Sequence, residues 1–376
     1  MLYKLKDIFD LQMGKTPSRN NIEYWNTNDY KWVSIADLTK TDKYISDTKE
    51  YLSKKAVNES GIKIIPANTV IMSFKLSIGK TAITAEDMYS NEAIMAFHDK
   101  HIVEILPEYI FYLFKYKNWD DGSNKAVMGK TLNKAILSEV EIDICSIEEQ
   151  RKIVNVLDKI MNLISARKKE LSYLDTFTKA RFVEMFGNPE ANEKEWKMNT
   201  FGDICTVRQG LQIPISKRLT QYEDDCYEYI TVQYLHGGKE REYIKSPKTS
   251  VICTQNDILM TRTGNTGMVV TGVDGVFHNN FFLIDFDRNK YDKDFLVQYL
   301  KLDIIQADIL RRAGTSTIPD LNHSDFYKIK IFEPPIELQK QFTELITQVD
   351  KSKSAVKKAL DETQLLFDSL MQEYFG

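Results

Sequence analysis

Short runs rich in Val, Ile, Tyr and Thr alternate with Gly, Asn and Asp in two regions of the chain, before Ile147 and after Gly187. Such runs predict β-strands, and the residues between them are typical of turns. The clearest runs are Lys31–Ala36, Thr69–Phe74 and Glu228–Gln233. A short amphipathic helix is predicted at Pro107–Tyr116, with a counterpart near Asp294–Ile304. The pattern therefore indicates two modules that mix strands and helix and are rich in strands.

Two longer segments have a helical pattern instead. The first, Ile147–Phe186, contains no proline or glycine, and Gly187-Asn188-Pro189 supplies a stop signal. Ser146, followed three residues later by Glu149, matches a capping box at the start of this segment. The second segment begins after Pro334-Pro335. We therefore expect two long helices, one after each module.

Both predicted helices carry a stripe with alternating spacings of four and three residues. The first series is Ile153, Leu157, Ile160, Ile164, Arg167, Leu171 and Leu174, and the second is Phe342, Ile346, Val349, Lys353, Val356, Leu360, Thr363, Phe367 and Leu370. Sustained spacing of this kind is typical of a coiled coil. A helix this long cannot bury its stripe against one small module, so we expect the two helices to pack against each other. Two copies in one chain are usually related by a pseudo-two-fold axis, which makes this pair antiparallel. We interpret Arg167 and Lys353, which interrupt the stripe, as side chains that reach solvent.

The whole chain is an internal repeat. Ile147–Ile153 has a counterpart in Ile336–Phe342, at an offset of 189 residues. Further anchors keep the same order, with small changes of offset: Lys6–Gly14 with Gly202–Gly210, Asn68–Met72 with Asn256–Met260, Leu132-Asn133 with Leu321-Asn322, and Phe186-Gly187 with Phe375-Gly376. The sequence thus predicts an α+β fold with two pseudo-symmetric globular domains separated by two long helices that form an antiparallel coiled coil. The expected boundaries are 1–145, 146–187, 188–334 and 335–376.

Composition narrows the function classes. The formal net charge of −4 counts mildly against a DNA-only role for the isolated chain. The four cysteines are far apart without a C-x-x-C pair, which argues against disulfides and structural zinc and fits a reducing cytoplasm. No apolar run approaches the ~20 residues of a membrane span, and the start MLYKLKDIFD does not have the pattern of a signal peptide. We therefore expect a cytoplasmic protein with no membrane or metal.

Three Gly-Lys-Thr triplets raise the question of a nucleotide site. They are Gly14-Lys15-Thr16, Gly79-Lys80-Thr81 and Gly129-Lys130-Thr131. A phosphate-binding loop needs a glycine five residues before the glycine of the triplet, and those positions hold Phe9, Phe74 and Asn124. The repeat also places Gly79-Lys80 on Gly267-Met268, so that only the glycine is kept. We interpret this glycine as part of a turn between strands.

Two similar modules on a rigid spacer suit a bipartite DNA target, because B-DNA repeats every ~34–36 Å. Each module would then read one half-site, and the spacer would set the number of base pairs between them.

The chain resembles the specificity subunit of type I restriction–modification systems. The residues that carry the resemblance recur in both halves: Ser146–Ile153 with Pro335–Lys340, Thr69–Lys75 and Gly79 with Ile258–Gly264 and Gly267, and the Asn-led strands Asn91–Ile94 with Asn279–Phe282. The second helix departs from the pattern, since it begins Glu-Leu-Gln instead of Glu-Glu-Gln. The resemblance covers the whole chain, and its specificity lies in the order of the motifs.

The resemblance implies that 1–145 and 188–334 are target recognition domains that bind a bipartite sequence in double-stranded DNA. It also implies two methyltransferase subunits as partners and, in the full complex, restriction subunits. Adenine methylation or DNA cleavage would belong to these partners, with S-adenosylmethionine, ATP and Mg on them and no cofactor on this chain. The residues agree with a non-catalytic role, because the one Asn-Pro pair, Asn188-Pro189, lacks the aromatic site of a methyltransferase. The acidic run Glu223-Asp224-Asp225 fits a solvated loop.

Candidate DNA contacts are basic, hydroxyl and amide residues in three predicted loops of each module, where phosphates and base edges would be bound. The first loops carry Lys15, Thr16 and Arg19, and Arg208, Gln212, Lys217 and Arg218. The second carry Lys75, Ser77 and Lys80, and Arg262, Asn265 and Thr266. The third carry Lys125, Lys130, Thr131 and Asn133, and Arg311, Arg312, Thr315, Ser316 and Asn322. For any single residue, a solvated surface charge is the alternative interpretation.

A different class of function also fits the sequence. The chain could be a coiled-coil scaffold whose two modules bind proteins, an alternative that the net acidity favours. Binding to duplex DNA that weakens steeply with salt separates the two hypotheses.

Overall fold

The structure, a computed structural model, describes residues 1–25, 27–75, 77–119, 132–235, 237, 241–314 and 319–376. It divides into two compact units. The first unit comprises Met1–Arg167 and Ala359–Gly376, and the second comprises Lys168–Lys358. Each unit therefore contains one module together with part of both long helices. The four domain boundaries expected from the sequence stay predictions.

The first unit begins with the elements of the first module. Its strands are β1 (Leu2–Lys4), β2 (Phe9–Met13), β3 (Tyr30–Val33), β4 (Tyr44–Ile45), β5 (Glu50–Leu52), β6 (Val70–Ser73), β7 (Thr81–Thr84), β8 (Tyr89–Ser90), β9 (Ile94–Asp99) and β10 (Glu141–Asp143). Its helices are α1 (Leu5–Ile8), α2 (Ile35–Lys40), α3 (Lys54–Ser60), α4 (Pro107–Tyr116), α5 (Lys134–Ser138) and the first part of α6 (Ile147–Phe186). The predicted helix at Pro107–Tyr116 and the predicted long helix are confirmed.

The second unit contains the second module. Its strands are β11 (Lys197–Thr200), β12 (Cys205–Gln209), β13 (Cys226–Ile230), β14 (Tyr243–Lys245), β15 (Ile252–Cys253), β16 (Ile258–Thr261), β17 (Val269–Val270), β18 (Gly275–Phe277), β19 (Phe281–Phe286) and β20 (Lys330–Glu333). Its helices are α7 (Phe201–Ile204), α8 (Val232–Leu235), α9 (Lys293–Leu300), α10 (Asp303–Ala313), α11 (His323–Tyr327) and the first part of α12 (Ile336–Phe375). The helix expected near 294–304 is thus divided into α9 and α10.

The two units arrange their shared strands in the same order. The main sheet has the order β2-β9-β6-β7-β4 in the first unit and β12-β19-β16-β17 in the second. A smaller sheet has the order β5-β3-β8 in the first unit and β14-β13-β18-β15 in the second. In both small sheets the central strand joins one neighbour antiparallel and another parallel, as β3 does with β5 and β8 and β13 does with β14 and β18. The duplication predicted from the sequence therefore holds for the strands that these sheets share, whereas β4 joins the main sheet only in the first unit and β15 joins the small sheet only in the second.

Two predicted strands are shorter than the sequence pattern indicates, and for the same reason. The predicted strand Lys31–Ala36 ends at Val33, because Ser34 caps α2 in a capping box with Asp37. The predicted strand Glu228–Gln233 ends at Ile230, and the Thr231 hydroxyl accepts a hydrogen bond from the Tyr234 backbone N–H at 3.1 Å. In both modules a hydroxyl residue thus turns an alternating apolar run into a helix start.

The long helices run antiparallel within each unit. In the first unit Ile153 of α6 and Phe375 of α12 line one hollow, and Arg167 donates a hydrogen bond to the Ala359 carbonyl. In the second unit the rings of Phe186 and Phe342 lie 5.4 Å apart. The residue number rises on one helix as it falls on the other, as the heptad pattern predicts. The stripe residues Ile153, Leu157, Ile160, Ile164, Phe342, Ile346, Val349, Thr363 and Phe367 are buried.

The two cations in the stripe do not simply reach solvent, and this part of the interpretation was wrong. Arg167 donates to the Ala359 carbonyl of the partner helix, and Lys353 forms an ion pair with Asp175 of the partner helix at 2.7 Å. Each long side chain instead bonds across the helix pair, because its polar end reaches a backbone or carboxylate oxygen there.

A buried glutamine joins each long helix to its module. Gln150 is 0% exposed, donates to the carbonyls of Glu104 and Cys145 at 3.0 Å each, and accepts from the Leu106 N–H at 2.9 Å. Gln339, also 0% exposed, makes the equivalent bonds: it donates to the carbonyls of Lys290 (3.0 Å) and Pro334 (2.8 Å) and accepts from the Asp292 N–H (2.8 Å). Each amide thus satisfies three buried backbone groups where a chain segment approaches the helix. This explains physically why both helix starts carry Gln at the same position.

Candidate nucleic-acid interface

Two of the three loops singled out in the first module, those after β2 and β6, lie together at one end of its main sheet. β2 is antiparallel to β9, and β9 is antiparallel to β6, so the last residues of β2 and β6 meet the first residues of β9. Met13 and Met72 both face Met95 in the ladder. The loop after β2 and the turn after β6 therefore project from the same sheet end, with the turn before β9 between them.

The second module repeats this arrangement. At the end of β12, Gln209 faces Phe282, and at the end of β16, Thr261 faces Phe281. The loop after β12, the turn before β19 and the turn after β16 therefore share one sheet end. The segment 319–322 joins them, because the Leu321 N–H donates to the Arg262 carbonyl at 3.0 Å. We name these two surfaces the sheet-end faces.

The turn after β6 is repeated after β16, hydrogen bond by hydrogen bond. The Gly79 N–H donates to the Ser73 carbonyl at 2.9 Å, and the Ser73 hydroxyl donates to the Ser77 carbonyl at 2.6 Å. The Gly267 N–H likewise donates to the Thr261 carbonyl at 2.9 Å, and the Thr261 hydroxyl donates to the Asn265 carbonyl. Both glycines have φ +87°, a backbone conformation that favours glycine.

This geometry explains the middle Gly-Lys-Thr triplet as a turn. The Lys80 backbone N–H donates to the Ser73 hydroxyl at 3.0 Å, and the Met268 N–H makes the same bond to Thr261 at 2.9 Å. The backbone alone is needed at this position, so the side chain can be lysine or methionine. The Lys80 ammonium donates to the Thr39 hydroxyl of α2 at 2.7 Å. The interpretation of Gly79 as a turn residue is confirmed.

The first candidate loops begin at a glycine that lies against backbone. A Cβ on Gly14 would lie 2.1 Å from the Asn91 carbonyl oxygen, and a Cβ on Gly210 would lie 2.2 Å from the His278 carbonyl oxygen. The N–H of Lys15 donates to Ser90 at 2.8 Å, and the N–H of Leu211 donates to the Phe277 carbonyl at 3.1 Å. The first triplet is therefore also structural, since only glycine allows the chain to cross here.

The turns before β9 and β19 show that one sequence match was displaced by a residue. Ile94 pairs with Ser73, and Phe281 pairs with Thr261, so Asn91 corresponds to His278 and not to Asn279. The Asn91 side-chain oxygen accepts from the Ala93 N–H at 3.0 Å, and His278 Nδ1 accepts from the Asn280 N–H at 3.0 Å. A histidine thus takes the role of asparagine in this turn, which the sequence comparison could not recognise.

Several predicted contacts of the first module already have partners within the module. Lys15 donates to the Ser60 carbonyl, Thr16 donates to Glu92, and Arg19 is paired with Glu50. Lys75 lies with its ammonium 5.3 Å from the Phe74 ring. Ser77 has φ +49° in the turn after β6.

In the second module the arginines are the most constrained candidates. Arg262 binds Asp320 through two hydrogen bonds, with Nε–Oδ1 at 2.8 Å and Nη2–Oδ2 at 2.7 Å. Arg208 donates to the Ser250 carbonyl at 3.2 Å, and Arg218 is enclosed by its own module. The Thr266 hydroxyl donates to the Pro319 carbonyl at 2.7 Å. By contrast Gln212, Lys217 and Asn265 are exposed.

The third candidate loops are only partly described. Lys125, Lys130, Thr131, Thr315 and Ser316 lie outside the described residues. Asn133 and Asn322 are the N-caps of α5 and α11, where their side-chain oxygens accept from the Ile136 and Asp325 N–H groups at 2.9 Å each. Arg311 and Arg312 lie in the last turn of α10 and not in a loop as predicted, and both pair with Asp308. The repeated Leu-Asn anchor therefore has a structural reason, which is helix capping.

The sequence pattern did not point to the acidic and histidine residues of the sheet-end faces. The Arg262 guanidinium holds the pKa of Asp320 below its usual range, and the Thr16 hydroxyl lowers that of Glu92. Burial lowers the pKa of His278 and of His323, and nearby arginines lower both further. Both shifts favour the neutral imidazole. In the sequence Asn91 was matched with Asn279, so no residue pattern pointed to His278.

The comparison with known families decides the identity. The family model for the type I restriction modification DNA specificity domain matches twice, over residues 1–173 and 193–363. The chain belongs to this family. The matches fall one in each half of the repeat, and the resemblance noted from the sequence is confirmed. A specificity domain recognises a DNA target and is not catalytic, so this specificity-domain chain supplies recognition and no chemistry.

Relatives agree with the family. The type I restriction enzyme MjaIX specificity subunit of Methanocaldococcus jannaschii is 27% identical over 376 residues, which cover 91% of this chain and 85% of the relative. The type I restriction enzyme EcoprrI specificity subunit of Escherichia coli is 24% identical over 262 residues, or 64% of this chain and 62% of the relative. Specificity subunits of type I systems work with DNA and with other subunits.

Solved structures show the same fold. The S subunit of a type I restriction–modification system from M. genitalium matches with TM-score 0.59 and 15% identity, covering 100% of this chain and 96% of that one. A chain from a study of complex assembly and conformational transition of the type I system matches with TM-score 0.60 and 16% identity, covering 100% and 97%. The α+β fold of two modules with paired long helices is confirmed.

Two further properties bear on the sequence analysis. In the parts of the chain that the structure describes, no helix is both long and apolar enough to cross a membrane. Cys145, Cys205, Cys226 and Cys253 are free thiols.

Proposed function

We propose that each sheet-end face of this specificity-domain chain reads one half of a bipartite sequence in double-stranded DNA. The observation that carries the proposal is the turn after β6 and β16, which has the same backbone bonds but different side chains in the two modules. A conserved scaffold with variable side chains suits two modules that read different half-sites.

Arg262 is the proposed base-reading residue of the second module. Asp320 binds the Nε and Nη2 atoms of Arg262 and so fixes the plane of its guanidinium. The side chain therefore loses less conformational entropy when it binds DNA. An oriented arginine can bind guanine through two hydrogen bonds. Lys217, which is exposed in the first candidate loop of the same module, is proposed to contact phosphate.

We expect the chain with its methyltransferase partner to protect one split DNA sequence. Arg262→Ala should weaken binding at the second module's half-site by ~10- to 100-fold, because one bidentate base contact contributes about 1–3 kcal/mol. Lys217→Ala should weaken binding to all sequences equally and lower the salt slope by about 0.9, since one phosphate contact is lost. Gel shifts with altered half-sites at several salt concentrations measure both effects.

The same measurement contradicts the proposal if Arg262→Ala leaves both half-sites unchanged. If the unsubstituted complex shows no salt-dependent DNA binding, the chain is instead a scaffold whose modules bind proteins.

The partners are proposed to dock on the long helices. Each unit exposes large apolar side chains there: Leu163 (50%), Leu365 (70%) and Leu366 (52%) in the first unit, and Tyr173 (71%), Phe177 (45%) and Val183 (42%) in the second. Exposed apolar surface of this kind marks an interaction site. Phe177 and Leu366 occupy equivalent positions in the two copies, at the offset of 189 residues. Two equivalent surfaces suit two methyltransferase subunits, and restriction subunits would join in the full complex.

We expect Phe177→Asp and Leu366→Asp each to remove one methyltransferase subunit from the complex, because a charge in an apolar interface opposes docking. The double variant should bind none. Light scattering of the purified complexes measures the stoichiometry, and Gln364→Asp, an exposed α12 substitution, is the control. A complex that keeps two methyltransferase subunits in the double variant would exclude this surface.

In this proposal S-adenosylmethionine, ATP and Mg are bound by the partner subunits, and this chain binds no cofactor. We also propose a cytoplasmic location, as expected from the cysteine pattern.

A further inference from the structure

Two of the predicted DNA-contacting arginines, Arg19 and Arg218, occupy equivalent places in the two modules. Arg19 is paired with Glu50 of β5 through both of its terminal nitrogens, with Nη2–Oε2 at 3.0 Å. Its guanidinium lies over two rings, with the Cζ atom 3.9 Å from the centre of Trp25 and 4.9 Å from that of Trp32 in β3. A carboxylate on one strand and an aromatic ring on the next thus enclose the cation.

The second module builds the same cluster with different residues. Arg218 pairs with Glu242 at 2.9 Å, and its Cζ lies 4.9 Å from the ring centre of Tyr229 in β13. Arg218 also donates twice to the Ile213 carbonyl, from Nε at 2.9 Å and from Nη2 at 2.7 Å. Its side chain is 15% exposed, against 49% for that of Arg19.

The aromatic residue under each arginine also holds the loop that follows the crossing glycine. Trp32 donates its indole N–H to the Lys15 carbonyl at 3.0 Å, and Tyr229 donates its hydroxyl to the Leu211 carbonyl at 2.8 Å. Lys15 directly follows Gly14, which crosses the turn before β9. Leu211 directly follows Gly210, which crosses the turn before β19. The arginine, the glutamate and the ring therefore form one unit that fixes the course of the first candidate loop. We call it the loop clasp.

The loop clasp leaves little of the cation for a phosphate. Each guanidinium meets an aromatic ring as well as a carboxylate, and in Arg218 the Nε, Nη1 and Nη2 atoms all donate within the module. Releasing Arg218 would also leave Glu242 unpaired at 21% exposure. Planar pairing and stacking on an aromatic ring are also geometries that lysine cannot reproduce. The same device occurs in both modules although the aromatic residue and the order of loop residues differ.

We propose that Arg19 and Arg218 are positioning residues that hold the DNA-reading loops in place and do not themselves contact DNA. The inference rests on the proposed function of the sheet-end faces. It reassigns two residues that their charge alone would place on the DNA.

Removing the glutamate distinguishes a positioning role of the arginine from a DNA-contacting role, because the two roles predict different changes in DNA affinity. Bound to its methyltransferase partner, the full chain with Glu242→Ala should bind the cognate duplex about tenfold more weakly, because the loop loses its clasp. If Arg218 bound a phosphate, the same substitution would free the cation, remove a negative charge and leave binding equal or tighter. Arg218→Ala should match Glu242→Ala, with an unchanged salt slope. Lys217→Ala is the matched control and should lower that slope by about 0.9.

The two half-sites provide an internal control for folding. Both substitutions should reduce discrimination only at the second module's half-site, measured with duplexes altered in one half-site at a time. If they disturb both half-sites, the half-exposed pair decides by the same criteria: Glu50→Ala should weaken binding at the first half-site, and Glu50→Asp, which keeps the carboxylate, should weaken it less.

Equal or tighter binding in Glu242→Ala or Glu50→Ala, or a lower salt slope in Arg218→Ala, would overturn this inference and leave the proposed function standing. Failure of the unsubstituted complex to bind any DNA specifically would overturn the proposed function and this inference with it.

Discussion

Inserting one heptad into each long helix, after Arg167 in α6 and before Ala359 in α12, is expected to change the spacer of the DNA target and leave both half-sites unchanged. These are the points at which the two units divide. Seven residues add ~10 Å of helix at 1.5 Å per residue, and this equals about three base pairs at ~3.4 Å each. Affinity for the original target should fall by about a hundredfold or more, since only one half-site can then be bound, and a target lengthened by about three base pairs should restore it.

A three-residue insertion at the same two points is the matched control. It breaks the alternation of four and three in the stripe, so that apolar residues turn to solvent and the helix pair loses stability without a new spacer. Selection of bound sequences from a pool of duplexes with varied spacers measures the outcome. An unchanged spacer preference in the heptad variant would show that the helices do not set the distance between half-sites.

Replacing Gly14 or Gly210 by alanine is expected to destabilise the affected module by about 3 kcal/mol or more, because the added methyl would overlap backbone that cannot move freely. The new Cβ would lie 2.1 Å from the Asn91 oxygen in one module and 2.2 Å from the His278 oxygen in the other. The free energy of unfolding from urea titration of the full chain measures the effect. Specificity for the half-site of the altered module should fall with it.

Gly61→Ala is the control for this prediction. Gly61 has φ +66°, and the nearest atom to its Cβ would be the Lys15 Nζ at 4.0 Å. Its replacement adds only the strain of a left-handed residue, about 1–2 kcal/mol. Gly14 has no positive φ, so a loss at Gly14 no larger than that at Gly61 would mean that its close approach to the Asn91 carbonyl oxygen does not explain the glycine.

The repeat carried the prediction of the fold much further than any single motif. It explained the middle triplet through Met268, and it placed both long helices and the matching turns in the right order. It was weaker where a side chain acts on its own backbone. Ser34 and Thr231 end their strands early, since each hydroxyl caps the next helix. Asn133, predicted as a DNA contact from its repeated position, caps α5.

The charged residues of the candidate interface show most clearly what could not be predicted from the sequence. In sequence Arg19, Arg218 and Arg262 are equivalent basic loop residues. In the structure two of them belong to the loop clasp, and the third is held in one plane by Asp320. Contact with DNA itself remains a prediction for every residue of the sheet-end faces.

The sequence by itself determined the duplication, the two long helices, their antiparallel pairing and the role of the glycine turns. Those features are written in local periods and in residue order, which one chain displays directly. Only the tertiary structure decided which cations already have partners. Arg19 and Glu50 are 31 residues apart, Arg218 and Glu242 are 24 apart, and Arg262 and Asp320 are 58 apart. No local pattern joins such residues, because their distance is set by how the strands between them pair.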